Sequence, residues 1–127
     1  MKHIKLWEEI SRDELKALED YADYLFSKLG IDVVFTKHFK DRINDARSGR
    51  PISYEEMAEF FKRAYHQAGE EISELPVGVS AILKDIFSKI NVPFIVQDDI
   101  KNKEHDLVLK TVIRKSNFRS LDPEIEI

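Results

Sequence analysis

The chain has 127 residues, no cysteine and a formal net charge of −4. Its length suits a single domain over residues 1–127 that buries its own core, with looser ends at 1–10 and 121–127. The absence of cysteine excludes disulfides and thiolate zinc sites. No apolar run approaches the roughly 20 residues of a membrane helix, and the N-terminus lacks a signal-peptide pattern, so we expect a cytoplasmic protein without a membrane partner.

The charged residues are distributed unevenly along the chain. Residues 8–23 are acidic, whereas residues 37–50 and 110–119 are basic. A protein with such separated charges can bind a polyanion on one side only. Charge blocks are also typical of ordinary solvated faces, so the pattern leaves both interpretations open.

The first half of the chain predicts two helices around a strand. Residues 11–14 form a capping box, which starts a helix that ends at Gly30. The alternating residues 31–36 predict a strand. Thr36 then suits the N-cap of a second helix, which we expect to fray near Arg47.

Residues 53–56 form another capping box, and the apolar stripe that follows predicts a helix that stops near Gly69. Residues 70–78 are then a connection, with one further helical turn before Pro76 left open. Apolar residues within 79–90 recur at helical spacing better than they alternate, which predicts a further helix, with a strand as the alternative that the sequence leaves open.

The end of the chain predicts strands. Residues 94–96 and 107–115 indicate a hairpin, with Pro93 at the start of its first strand, where a missing N–H is tolerated. Residues 124–127 alternate weakly, as an edge strand or a loose tail would. The order of elements predicts an α+β domain: a small, mainly antiparallel sheet with the N-terminal and central helices packed on one face.

The helix after Thr36 carries the first candidate site. Positions four apart stack on one helical face, so His38 lies beside Arg42, with Asp45 one turn further on. Histidine can transfer protons near neutral pH, and arginine can hold a phosphate or stabilise charge developing on it. A surface histidine beside an arginine paired with Asp41 or Asp45 gives the same pattern.

The last long predicted strand carries the second candidate site. Alternation places Lys110 and Arg114 on one face and Thr111 on the other, so a site that uses both Thr111 and Arg114 requires a bulge or the strand's end. The same cations could instead protect an edge strand against aggregation.

The sequence predicts no metal site and no cofactor. The four histidines, His3, His38, His66 and His105, are scattered. The acidic residues Asp98, Asp99 and Asp106 could bind a hard cation loosely, but they are more typical of a hairpin loop.

Several blocks of the sequence resemble a family of small proteins of tailed bacteriophages, especially T4-like and marine phages. The resemblance extends over about residues 12–120. The blocks that carry it are 31–42, 50–53, 90–94 and 110–115.

More distantly, the arrangement is similar to the barnase–EndoU–colicin–RelE group of metal-independent ribonucleases. That group combines N-terminal helices with a small antiparallel sheet. The resemblance implies that His38 and Arg42 match the helix histidine and arginine, and that Thr111 or Arg114 matches the strand position.

These observations lead to the hypothesis of a phage-encoded ribonuclease that acts on RNA in the host cytoplasm. His38, Arg42 and Arg114 would be catalytic. The substrate contacts would be Arg47, Lys110, Thr111, Lys115 and Asn117. The alternative is a non-catalytic phage protein, accessory or virion-associated, that binds a host protein, a phage protein or a nucleotide-like ligand. The sequence leaves the oligomeric state open.

Overall fold

A computed structural model describes residues 10–45, 52–99 and 104–127. Within these ranges the chain forms three helices and one six-stranded mixed sheet. The helices are α1 (Arg12–Ser27), α2 (Lys37–Ile43) and α3 (Tyr54–Ser73). The strands are β1 (Ile31–Phe35), β2 (Ser80–Lys84), β3 (Ile90–Asp99), β4 (Glu104–Leu109), β5 (Ile113–Arg114) and β6 (Glu124–Glu126). The predicted α+β class is confirmed.

Strand β3 organises the sheet, whose order is β1-β4-β3-β2-β6, with β5 also paired to β3. All its partners, β2, β4 and β5, run antiparallel to it. The two outer pairs, β1 with β4 and β2 with β6, are parallel. None of the helices in the described ranges is both long and apolar enough to cross a membrane.

Aromatic rings join the helices to the sheet. Phe35 of β1 lies 4.5 Å from Phe39 of α2 and 5.8 Å from Phe61 of α3, measured between ring centroids. All these rings are buried. Since each buried aromatic side chain removes a large apolar area from water, this contact fixes the end of β1 against both helices.

The predicted helix starts are confirmed. Ser11 accepts a hydrogen bond from the Glu14 N–H, and the Glu14 carboxylate accepts one from the Ser11 N–H. Ser53 and Glu56 form the same reciprocal pair at α3. Thr36 caps α2 by accepting from the Phe39 N–H at 3.0 Å.

α3 continues beyond the predicted end near Gly69 and ends at Ser73, in agreement with the further helical turn before Pro76. A Cβ atom at position 69 would lie only 2.9 Å from Leu29 Cδ1. The glycine therefore permits close packing of α3 against the end of α1 and is not a helix stop.

The predicted helix over 79–90 is wrong, and the strand alternative agrees with the structure over Ser80–Lys84. Residues 80–84 form β2, and residues 85–89 form a turn that leads into β3. β2 is paired with β3 on one edge and with β6 on the other. Three of its consecutive residues, Ala81, Ile82 and Leu83, are buried, so both faces of the strand are covered. Such a run lacks the alternation of a half-buried strand. With Ile86 and Phe87 in the turn, the apolar residues match helical spacing by coincidence.

The predicted strand over 107–115 is interrupted. β4 ends at Leu109, and the chain resumes pairing with β3 only at Ile113. Leu109 and Val112 are both buried, so the interruption shifts the alternation by one residue.

Pro93 lies inside β3 and not at its start. Its carbonyl accepts a hydrogen bond from the Lys110 N–H at 2.8 Å. Because the N–H and C=O of a strand residue point to the same side, the missing N–H of Pro93 faces the interruption, where few ladder bonds are lost. At the far edge, β6 agrees with the edge-strand alternative for the chain's end.

The outer edge of β1 is covered by carboxylates of α1. Asp23 accepts a hydrogen bond from the Val33 N–H at 2.9 Å, and Glu19 accepts one from the Phe35 N–H at 2.7 Å. An uncovered edge strand would offer these N–H groups to another chain. Part of the acidic charge of α1 therefore protects the sheet.

We expect Glu19→Ala to lower the free energy of unfolding by about 1–2 kcal/mol, because the Phe35 N–H loses its acceptor in a partly buried position. Urea unfolding followed by circular dichroism measures this change. Asp20→Ala is the matched control, because Asp20 makes only an exposed ion pair with Lys16, and it should leave stability nearly unchanged. Equal losses in both variants would contradict a role for Glu19 at the strand edge.

Candidate functional site

The chain segments after β1 and β4 meet at Thr36. Its hydroxyl donates to the Leu109 carbonyl at 2.8 Å and lies 3.2 Å from the Lys110 carbonyl. The same oxygen caps α2 by accepting from the Phe39 N–H. One hydroxyl group therefore fixes the start of α2 against the segment that follows β4. We call this contact the Thr36 junction.

His38 and Arg42 project from α2 close to this junction. Phe39 and Ile43 form the buried stripe of the helix, while His38 is exposed and Arg42 is half-buried. Neither side chain forms a hydrogen bond or an ion pair with another described residue. The Asp41 carboxylate lies 3.8 Å from the Lys37 ammonium, so Asp41 pairs with Lys37 and not with Arg42. The imidazole and the guanidinium are thus both available to a ligand.

Lys110 and Thr111 lie on the other side of the Thr36 junction, and both are half-buried. The Lys110 ammonium lies 3.4 Å from the Ser80 hydroxyl and 3.9 Å from the Asp122 carboxylate. These contacts are long, so they hold the ammonium weakly. The junction brings the backbone of this predicted pair next to α2.

Arg114 has a different environment from the one that the sequence predicted. Its guanidinium donates to both Glu56 oxygens, at 2.7 and 3.0 Å, and to the Ser88 carbonyl at 3.2 Å. Its side chain is only 6% exposed. The break in strand pairing between Leu109 and Ile113 shifts the predicted alternation by one residue, so Arg114 points toward α3. In this state Arg114 supports the fold and does not offer its charge to a ligand.

The other predicted contacts lie farther along the chain. Lys115 and Asn117 are exposed, and the Lys115 N–H donates to the Lys89 carbonyl at 2.8 Å. That bond places Lys115 beside the turn between β2 and β3. Arg47 lies outside the described residues.

A buried carboxylate organises the turn of residues 85–89, which we call the β2–β3 turn. Asp85 is fully buried and accepts from Arg63, from the Ser88 hydroxyl at 2.6 Å and from the Phe87 N–H at 3.0 Å. Burial alone would raise the pKa of Asp85, but these hydrogen bonds outweigh it and hold the pKa below its usual value. Asp85 therefore stays ionised and rigidly held.

An acidic cluster lies at the opposite end of the sheet. Asp32, Asp99 and Asp106, on the neighbouring strands β1, β3 and β4, have carboxylate oxygens within 4.8 Å of one another. Within the described ranges these residues could share a hard cation such as Ca²⁺, which prefers oxygen ligands. Alternatively, the crowded carboxylates share protons, and this explains the same arrangement without a cation.

Crowding changes the proton affinity of this cluster. Burial, followed by repulsion from Glu104 and Asp23, raises the pKa of Asp32 to about 6. Burial and the charge of Asp99 raise the pKa of Asp106 in the same way. The cluster therefore holds protons that isolated aspartates would release.

The sequence indicates Asp99 and Asp106 as loose ligands of a hard cation, but it does not indicate Asp32 or the β2–β3 turn, for different reasons. Alternation within β1 does separate Asp32 from its buried neighbours, but only the pairing of β1 with β4 brings it to Asp106. Phe87 matches the helical spacing of the apolar residues within 79–90, and that pattern does not indicate that its side chain is exposed.

We expect Asp32→Asn to raise the free energy of unfolding at about pH 7.5 by about 1 kcal/mol, allowing for solvent screening. Because the pKa is raised in the folded state, the folded protein holds more protons than the unfolded chain between about pH 4 and about pH 6. Wild-type stability should fall as the pH rises through this window, and the variant should lose that part of the dependence.

Urea unfolding at several pH values measures this difference, with Asp41→Asn as an exposed control outside the cluster. An identical pH dependence in Asp32→Asn and wild type would contradict the raised pKa.

Comparison with protein-family models, with curated proteins and with solved structures gives no match for this chain. Its function therefore has to be inferred from the geometry and chemistry of its own residues.

Proposed function

We propose that this protein is a phage-encoded, metal-independent ribonuclease-type domain that acts on RNA in the host cytoplasm. The observation that carries the proposal is the Thr36 junction, which holds the helix of His38 and Arg42 against Lys110 and Thr111. Residues 73 positions apart in sequence are thereby joined by one hydroxyl group. The junction brings the backbone that carries the His38 imidazole and the Arg42 guanidinium next to the backbone of Lys110 and Thr111, while the Lys110 ammonium itself extends toward Ser80 and Asp122.

These groups match the needs of RNA cleavage without a metal. The 2′-oxygen attacks the adjacent phosphorus while the bond from phosphorus to the 5′-oxygen breaks, which yields a 2′,3′-cyclic phosphate and a free 5′-hydroxyl. His38 takes the proton of the 2′-hydroxyl or returns one to the leaving oxygen. Arg42 stabilises the charge that develops on the phosphate oxygens. Lys110 and Thr111 hold the phosphate and the neighbouring sugar.

Arg114 has a positioning role in this proposal, which revises the role expected from sequence. Using its charge on a substrate would require the guanidinium, whose side chain is 6% exposed, to break both of its hydrogen bonds to Glu56. Its bond to the Ser88 carbonyl supports the β2–β3 turn instead.

The test is incubation of the protein with single-stranded RNA of mixed sequence in the presence of EDTA. We expect wild type to cut the RNA and leave 2′,3′-cyclic phosphate ends. His38→Ala should slow cleavage by about 10²–10⁴-fold and Arg42→Ala by about 10²–10³-fold, because they remove proton transfer and charge stabilisation.

The matched control is His66→Ala, because His66 is also an exposed histidine on a helix. It should cut as fast as wild type. Intact RNA after incubation with wild type, or full activity in His38→Ala, would refute the proposed mechanism.

A second candidate is a non-catalytic phage protein, accessory or virion-associated, that binds another protein or a nucleotide-like ligand. The observation that favours it is the exposure of large apolar side chains at Ile86, Phe87 and Leu121. Binding without cleavage, unaffected by His38→Ala, would favour this candidate over the enzyme.

A further inference from the structure

The β2–β3 turn presents an aromatic ring to solvent. Phe87 is 83% exposed and its neighbour Ile86 is 55% exposed. A single exposed apolar side chain is ordinary in a soluble protein. Two further features, the rigidity of the turn and the charges beside it, distinguish Phe87 from such a residue.

The backbone under Phe87 is held from several directions. Asp85 accepts from the Phe87 N–H at 3.0 Å, and the Lys89 N–H donates back to the Asp85 carbonyl at 2.8 Å. Lys89 adopts a positive φ of 65°, which lets the chain re-enter β3. Arg114 donates to the Ser88 carbonyl. The ring is thus displayed on a preorganised backbone, which lowers the entropy cost of binding.

Two exposed lysines flank the turn. The Lys115 N–H donates to the Lys89 carbonyl, and the Asn91 amide donates to the carbonyls of Lys89 and Lys115 at 3.1 and 3.0 Å. Asn91 is fully buried, so it holds the two lysine-bearing segments together. Neither ammonium group forms a hydrogen bond or an ion pair with another described residue.

The two carboxylates behind the turn do not cancel these charges. Asp85 is engaged by Arg63, and Glu56 is engaged by Arg114, so each is paired with an arginine within the fold. The exposed Glu126 lies on the β6 side of the turn, opposite Lys84, whereas Lys89 and Lys115 lie on the β3 and β5 side.

We infer that Phe87, with Lys89 and Lys115, forms a subsite on which a base of single-stranded RNA stacks. The inference rests on the proposed ribonuclease function, and it identifies the substrate as a single strand longer than the two nucleotides at the cleaved bond. An aromatic ring beside cations is the combination that binds single strands, because every base has a stacking face and every nucleotide has a phosphate. The flanking lysines favour this polyanion over an apolar protein surface.

The subsite lies away from the Thr36 junction. The Lys110 N–H donates a hydrogen bond to the Pro93 carbonyl, so Lys110 lies at the level of Pro93 in β3. Lys89 lies at the start of the same strand, immediately before Ile90. Since a strand advances about 3.3 Å per residue, these two levels are roughly 13 Å apart along β3. The stacked base therefore belongs to a nucleotide outside the reacting pair.

The test compares kcat/KM for an eight-nucleotide single-stranded RNA with kcat/KM for a dinucleotide. We expect Phe87→Ala to lower the ratio of the two values about tenfold, because stacking contributes about 1–3 kcal/mol per base. Phe87→Trp should keep the ratio. Phe87→Leu should lower the ratio, although leucine keeps an apolar side chain at this position. The double variant Lys89→Ala/Lys115→Ala should reduce the salt dependence of octanucleotide binding.

Leu121→Ala is the matched control, because Leu121 is another fully exposed apolar side chain, and it should keep the wild-type ratio. If wild type cuts both RNAs and Phe87→Ala keeps the ratio, the subsite is wrong while the ribonuclease stands. If Phe87→Leu behaves as wild type and only Phe87→Ala loses the ratio, the contact is a general apolar one and stacking is refuted. If wild type neither binds nor cuts either RNA, the proposed function fails and this inference fails with it.

Discussion

The parallel pairing of β1 with β4 is the contact on which the rest of the candidate site depends. Parallel strands end at the same edge of a sheet, so the segments that follow β1 and β4 must emerge side by side. One segment is α2 and the other begins with Lys110. The Thr36 hydroxyl then joins them by bonding to the Leu109 carbonyl. With antiparallel pairing, His38 and Thr111 would lie at opposite ends of the sheet.

The same pairing places β1 at the edge of the sheet and accounts for the acidic end of the molecule. An edge strand has unpaired N–H groups, and Glu19 and Asp23 of α1 accept from two of them. Asp23 in turn adds to the repulsion that raises the pKa of Asp32. The carboxylates of Asp23, Asp32, Asp99 and Asp106 gather toward the end where β1 and β4 begin. Asp13 and Glu19 of α1, by contrast, line one cavity with Lys40 of α2, so the acidic and basic stretches of the sequence meet at the other end.

Local chemistry made much of the fold predictable from sequence. The capping boxes at Ser11 and Ser53 and the Thr36 N-cap depend on residues three apart, and all of them form as expected. The errors arose where residues distant in the sequence determine the local structure. β2 is buried on both faces, so its apolar run carries no strand alternation. Pro93 and the interruption after Leu109 turn Arg114 toward Glu56, and no pattern within residues 107–115 indicates that partner.

The candidate site shows the same division between local and distant effects. Helical spacing alone placed His38 beside Arg42, whereas the positions of Lys115 and Arg114 depend on their pairing with residues around β3. The two ion pairs, Arg63 with Asp85 and Arg114 with Glu56, both tie α3 to the β2–β3 turn or its neighbour β5, and each joins one buried side chain to a partly exposed partner. Removal of the exposed partner leaves the buried charge uncompensated. The arginine that the sequence predicts to be catalytic, Arg114, therefore lies behind the surface, where its bond to the Ser88 carbonyl fixes the backbone that displays Phe87, Lys89 and Lys115.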